Sequence, residues 1–173
     1  MTAMTQAPIE LRLTLHETSM ELTCVLKNSG SMSLRVGGLN LANISIRPAE
    51  DDGNYPTPWL SEHIRNNRGV YELAPNAELE FEGDLLSNFR FENAGVYVVR
   101  AVYDSMGFCE RFGHAPSRKE DSCFAEWARI DPARALSNEV VFVLSEADLQ
   151  ANRQAITHRT DVFFGKRRDE LAT

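Results

Sequence analysis

Apolar and polar residues alternate with a period of two over much of this chain. Ile9, Leu11, Leu13 and Leu15 alternate with Glu10, Arg12 and Thr14, which predicts a strand with one buried face. Met20, Leu22, Cys24 and Leu26 repeat the pattern against Glu21, Thr23 and Val25. Leu34 and Val36 predict a short third run that Gly37-Gly38 stops, and Leu39, Leu41, Ile44 and Ile46 a fourth that ends at Pro48. Val70 to Leu73 reads as a short edge strand, and Leu79, Phe81, Leu85 and Leu86 continue the series. Gly95 to Tyr103 is β-branched and aromatic throughout, as central strands are, and Asn138 to Leu144 predicts the last strand.

After Leu144 the period changes. Ser145-Glu146-Ala147-Asp148 has the form of a helix N-cap, and Leu149 to about Arg159 reads as a helix with Leu149, Ala155 and Ile156 as its apolar contacts. About seven short strands without strand–helix alternation predict a mostly β protein, an antiparallel β-sandwich over 1–144. A C-terminal helix and tail over 145–173 complete the chain.

Glu92-Asn93-Ala94-Gly95-Val96-Tyr97-Val98-Val99 resembles the entry into strand F of immunoglobulin-like domains, where the pattern is Asp-x-Gly/Ala-x-Tyr-x-Cys. The closing Leu136-Ser137-Asn138-Glu139-Val140-Val141-Phe142-Val143 is similar to the last strand of immunoglobulin- and fibronectin-III-like modules. The resemblance implies a tyrosine corner at Tyr97, whose hydroxyl would bond upstream backbone while its ring enters the core. Its strands would be A (9–15), B (20–27), C (32–36), C′ (40–47), E (78–86), F (95–103) and G (138–144). Val99 stands where the strand-F cysteine would be, so Cys24 is expected to be a free, buried, small hydrophobe. This topology implies that the two longest connections, C′–E (48–77) and F–G (104–137), emerge at one end and form a composite surface.

The chemistry on those connections is sparse. Cys109, His114, Asp121 and Cys123, with His63 from the other connection, have unusual spacing for zinc, and no metal is expected. A Cys109–Cys123 disulfide is the alternative to two free thiols, and free thiols are favoured. Glu50-Asp51-Asp52-Gly53-Asn54 lacks the spacing of a calcium loop. No Gly-x-Ser-x-Gly elbow, His-Glu-x-x-His helix or phosphate-binding glycine loop occurs, so no enzyme and no cofactor are expected. Aromatics beside arginines have the composition of protein–protein hot spots. The expected partner-binding residues are therefore Tyr55, Trp59, Arg65, Phe108, Arg111, Phe112, Trp127 and Arg129.

Charge narrows the partner. The chain carries 18 basic and 25 acidic residues, a net charge of −7. Residues 1–144 hold 13 basic and 20 acidic residues, while 145–173 hold five of each, so the whole excess belongs to the expected sandwich. That argues against nucleic acid and anionic membranes, and for a protein partner that is basic or neutral at its contact surface. The three cysteines, the absence of a signal-like N-terminus and of any membrane-spanning apolar run lead to a cytoplasmic expectation. Fifteen of the basic residues are arginine, a bias that suggests a bacterial source. The expected function is a non-enzymatic protein-binding module, either an inhibitor or immunity-type protein or an accessory subunit. The alternative is a carbohydrate- or small-ligand-binding sandwich with Tyr55, Trp59 or Trp127 as its platform.

Overall fold

The structure is a computed structural model that describes residues 8–39, 41–50, 53, 55–58, 69–105 and 130–171, without the side chains of 42 and 163–171. It is mostly antiparallel β. β1 (Ile9–His16) and β2 (Glu21–Asn28) form a hairpin, with Leu11, Leu13 and Leu15 in register with Leu26, Cys24 and Leu22. The matched apolar positions point one way, as the period of two requires. β3 (Leu34–Gly37) pairs instead with β6 (Val70–Leu73), and β4 (Ile44–Pro48) follows a single 3-10 turn at Leu41–Asn43. β5 (Thr57–Pro58) pairs with β8 (Phe89–Arg90). β7 (Glu78–Asp84) adds to β2, giving a first sheet in the order β1-β2-β7. β9 (Gly95–Asp104) lies between β10 (Arg134–Leu144) and β4 in the second sheet.

One apolar core joins the two sheets. Leu13, Leu22, Cys24 and Leu26 from the first meet Ile46, Tyr97, Val99, Ala101 and Phe142 from the second, all buried. The Tyr97 hydroxyl donates to the Asn93 carbonyl at 2.7 Å, and its ring stacks on Phe142 and meets the edge of Phe91. This is the contact expected of a tyrosine corner.

Four expectations change in detail. The strand beside β9 is 44–48, and 34–37 forms a separate ribbon. The Gly37-Gly38 break leaves the earlier run too short to span a sheet, while Ile44 and Ile46 supply the inward positions. The strand expected over 78–86 ends at Asp84, whose carboxylate accepts the Leu86 and Ser87 N–H groups at 2.8 and 3.2 Å and starts α1 (Leu85–Asn88). The last strand begins at Arg134 rather than 138, with an irregularity between Leu136 and Glu139, where the Ser137 hydroxyl accepts the Ala101 N–H at 2.9 Å. The C-terminal helix, α2 (Glu146–Leu171), runs about three turns beyond Arg159.

The helix is fixed to the sandwich at its start. Asp148 and Ser145 cap each other, Leu149 and Asn152 are buried, and Asn152 bonds the backbone of Leu86, Phe89 and Phe91.

Candidate functional site

Among the eight residues expected to bind a partner, only Tyr55 is described. It is exposed and precedes β5. Trp59, Arg65, Phe108, Arg111, Phe112, Trp127 and Arg129 lie outside the described residues, as do His63, Cys109, His114, Asp121 and Cys123. The expected single loop end is divided. Pro48 is in register with Tyr97 near the start of β9, whereas the other long connection leaves after Asp104 at its end. Seven residues of strand separate those levels, roughly 23 Å. Residues 49–58 therefore start at the end opposite the F–G attachment, and Thr57–Pro58 stays there against Phe89–Arg90. Among the described residues of this connection, 69–73 lies at the other end, where β3 also receives Asp131: the Arg35 N–H donates to the Asp131 carboxylate at 2.7 Å.

No group of three or more His, Cys, Asp or Glu among the described residues is arranged to hold a metal ion. No helix among them is long and apolar enough to cross a membrane. Cys24 is fully buried, and burial pushes its thiol up to about 12 from 9.0. A raised value means that the unfolded chain ionises first. Stability is therefore expected to fall as pH rises from about 9 towards 12. Peptide-resolved alkylation at about pH 8 should leave Cys24 unmodified in the folded protein and modify it in denaturant, because the thiolate is the nucleophile. Rapid native labelling would contradict its burial.

The two outer sheet faces differ sharply in chemistry. On the first, the residues opposite the core rows include Glu10, Glu21, Glu78, Glu80, Glu82 and Asp84 against Arg12 and Lys27. Six carboxylates against two cations place a local −4 there. Much of the acidic excess thus lies on one sheet.

The outer face of β4-β9-β10 is apolar at its centre. Register places Ala49, Val96 and Val143 in one row, because the Ala49 N–H donates to Val96 and Val143 is opposite Val96. Arg47, Val98 and Val141 make the next row, and Ser45, Arg100 and Glu139 the third. Val143 is 65% exposed, Val141 56% and Val96 45%, so three large apolar side chains of one patch face water. Arg47 and Arg100 both reach Glu139 Oε1, at 3.4 and 2.8 Å. Two guanidiniums share one carboxylate, which leaves the rim with one positive charge in surplus. Arg100 Nε is buried without an acceptor.

An exposed apolar centre with an arginine rim is the anatomy of a protein-docking surface. The sequence reading of Gly95–Tyr103 as a central strand and Asn138–Leu144 as the last assigns no outward face, and so misses it. The available signal was that apolar residues fill both parities of the two runs, while one face of an antiparallel sheet is ordinarily polar. No protein-family profile matches the chain, and no curated protein matches it in sequence.

Proposed function

We propose that this chain is a non-enzymatic protein-binding module on an immunoglobulin-like sandwich, and that it docks through the outer face of β4-β9-β10. The sheet orders β1-β2-β7 and β10-β9-β4 support that topology, since they correspond to A-B-E and G-F-C′, with 44–48 in the place beside strand F that strand C takes in such domains. The Tyr97 corner supports it as well. The observation that carries the docking reading is the exposed valine group Val96, Val141 and Val143 beside the Arg47–Glu139–Arg100 cluster. The partner is a protein whose contact surface is apolar and neutral at its centre. An inhibitor or immunity-type protein and an accessory subunit both use such a face. A cytoplasmic setting belongs to this reading, supported by a core cysteine with valine at the disulfide position.

Val143→Glu tests the proposal. A carboxylate buried against an apolar partner is expected to weaken docking by roughly 100-fold, while the free chain, in which this position faces water, keeps its melting temperature. The measurement is cross-linking and co-purification from the native cell, wild type beside variant, with hydrogen exchange at 96–98 and 141–143. A stoichiometric partner that is retained by Val143→Glu, or no protection at these strands in the complex, would overturn the assignment of the face.

A further inference from the structure

We infer that the open edge of β7 is a second binding site, which takes an extended segment of a partner protein with Lys or Arg at alternate positions and apolar residues between them. The site lies on the first sheet and does not rest on the outer face of β4-β9-β10 being occupied. β7 ends the order β1-β2-β7, and among the described residues it pairs only with β2. The opposite edge of that sheet is closed. There the Asn138 side chain, from β10, accepts the Leu13 N–H and donates to the Leu13 carbonyl, both at 3.0 Å, and Leu11 and Leu13 are buried. At the two ends of the β2–β7 pair, the Leu85 N–H donates to the Met20 carbonyl at 3.0 Å and the Asn28 N–H to the Ala77 carbonyl at 3.1 Å. Backbone direction alternates along a strand, so Leu79, Phe81 and Gly83 bond β2, while Glu78, Glu80 and Glu82 turn their N–H and C=O groups outward. No described residue bonds those outward groups.

The edge is long and regular. Its seven residues keep an unbroken register with β2, without the proline or bulge that commonly blunts an exposed edge. Glu78, Glu80 and Glu82 stand in line on the outer face, about 6.7 Å apart. Glu78 meets Arg12 at 3.7 Å, while Glu80 and Glu82 have no ion-pair partner among the described residues. Across an antiparallel pair, opposite charges attract and like charges repel. A second copy added through the same edge sets glutamate against glutamate, so the edge selects against itself and for cations at every second residue. The inner face defines the positions between. Leu79 and Phe81 are only half-buried, whereas their neighbours on β2, Leu26 and Cys24, are fully buried. The core is thus uncovered along β7, and apolar residues of an added strand close it. Main-chain bonds then supply affinity and the alternating side chains selectivity, as in other strand additions.

The probe is a labelled peptide of about four Lys-Val repeats, long enough to span β7, beside a peptide of the same composition in two blocks. Fluorescence anisotropy on the full chain is expected to show saturable binding of the alternating peptide below about 1 mM. The block peptide should bind at least about tenfold more weakly. Amide exchange at Glu78, Glu80 and Glu82, followed by NMR, should slow on binding. Glu80→Gln combined with Glu82→Gln should weaken binding several-fold. Glu80→Pro removes an outward N–H that the β2–β7 ladder does not use, so circular dichroism should be unchanged while binding falls at least about tenfold. If that variant fails to fold, the peptide carries the same test. Backbone methylation at its lysine amides, which face β7 in an antiparallel pair, should abolish binding, and methylation at its valine amides should spare it. No binding, equal binding of the alternating and block peptides or of the two methylated forms, or unchanged exchange at the three glutamates overturns the inference. Protection of those amides in the free chain would assign the edge to a segment of this chain, and a dimer lost in Glu80→Pro would assign it to a second copy. Either result also overturns it.

Discussion

Phe91→Ala is expected to destabilise the fold by about 3–5 kcal/mol, the range for removing a buried aromatic ring. Phe91 is 1% exposed and sits between β8 and β9. Its ring meets Tyr97 edge-on with centroids 5.1 Å apart and Phe142 edge-on at 6.2 Å. Each perpendicular pair adds about 0.5–1.5 kcal/mol beyond burial, because the positive edge of one ring faces the negative face of the other. Truncation also leaves a void beside the Tyr97 corner. That tyrosine is held at Asn93, two residues from Phe91, so the surrounding chain is poorly placed to collapse into the gap. Urea melts are the measurement. The midpoint should fall with an unchanged slope, and Phe91→Leu should recover more than half of the loss. A shift below about 1 kcal/mol would mean that the ring trio does not hold the sheets together.

The same trio shows what the sequence discloses. Tyr97 was legible because a tyrosine two residues after a glycine at a strand entry carries a specific contact, its hydroxyl on upstream backbone. β1, β2 and β9 were legible because their apolar spacing matches the pleat. Asp84 shows the limit. Leu85 and Leu86 continue an apolar run, and nothing in that run reveals a carboxylate aimed at the next two N–H groups. The place of 44–48 beside β9 is a long-range pairing, set by which inward rows complete the core, and local pattern is blind to it. The reach of α2 was understated because its apolar periodicity fades after Ile156. A helix continues without a breaker, and a lone glycine such as Gly165 costs only about 1 kcal/mol. The valine face was hidden by the same success that identified the strands. Apolar residues on both parities identify a strand without saying which face stays covered, and exposure is a property of what the rest of the chain leaves uncovered.

Asn152→Leu is expected to cost about 2–4 kcal/mol and to release α2 from the sandwich. The side chain is fully buried and works as a three-way clamp. Its amide donates to the Leu86 carbonyl and, at 2.7 Å, to the Phe89 carbonyl, and its oxygen accepts the Phe91 N–H at 3.1 Å. Leucine has similar volume and no polar atoms. It leaves one donor and two acceptors facing an apolar group, each at about 1–3 kcal/mol when no water replaces the partner. Arg159 adds a bond from its guanidinium to the Asn88 carbonyl oxygen of the side chain at 2.9 Å, and Arg153 one to the Glu92 backbone at 3.2 Å. These outer contacts are exposed or half-buried and cannot substitute for the clamp. The loss should therefore be local first. Hydrogen exchange in 146–160 and in 86–91 should accelerate together, while the amides of β1 and β2 keep most of their protection. The neutral charge of 145–173 makes the helix look like an appendage in the sequence, yet Leu149 and Asn152 build it into the wall that holds Phe89 and Phe91. Uniform acceleration across both sheets would show instead that the helix and sandwich unfold as one unit. Unchanged exchange at 86–91 would show that Asn152 does not clamp that segment.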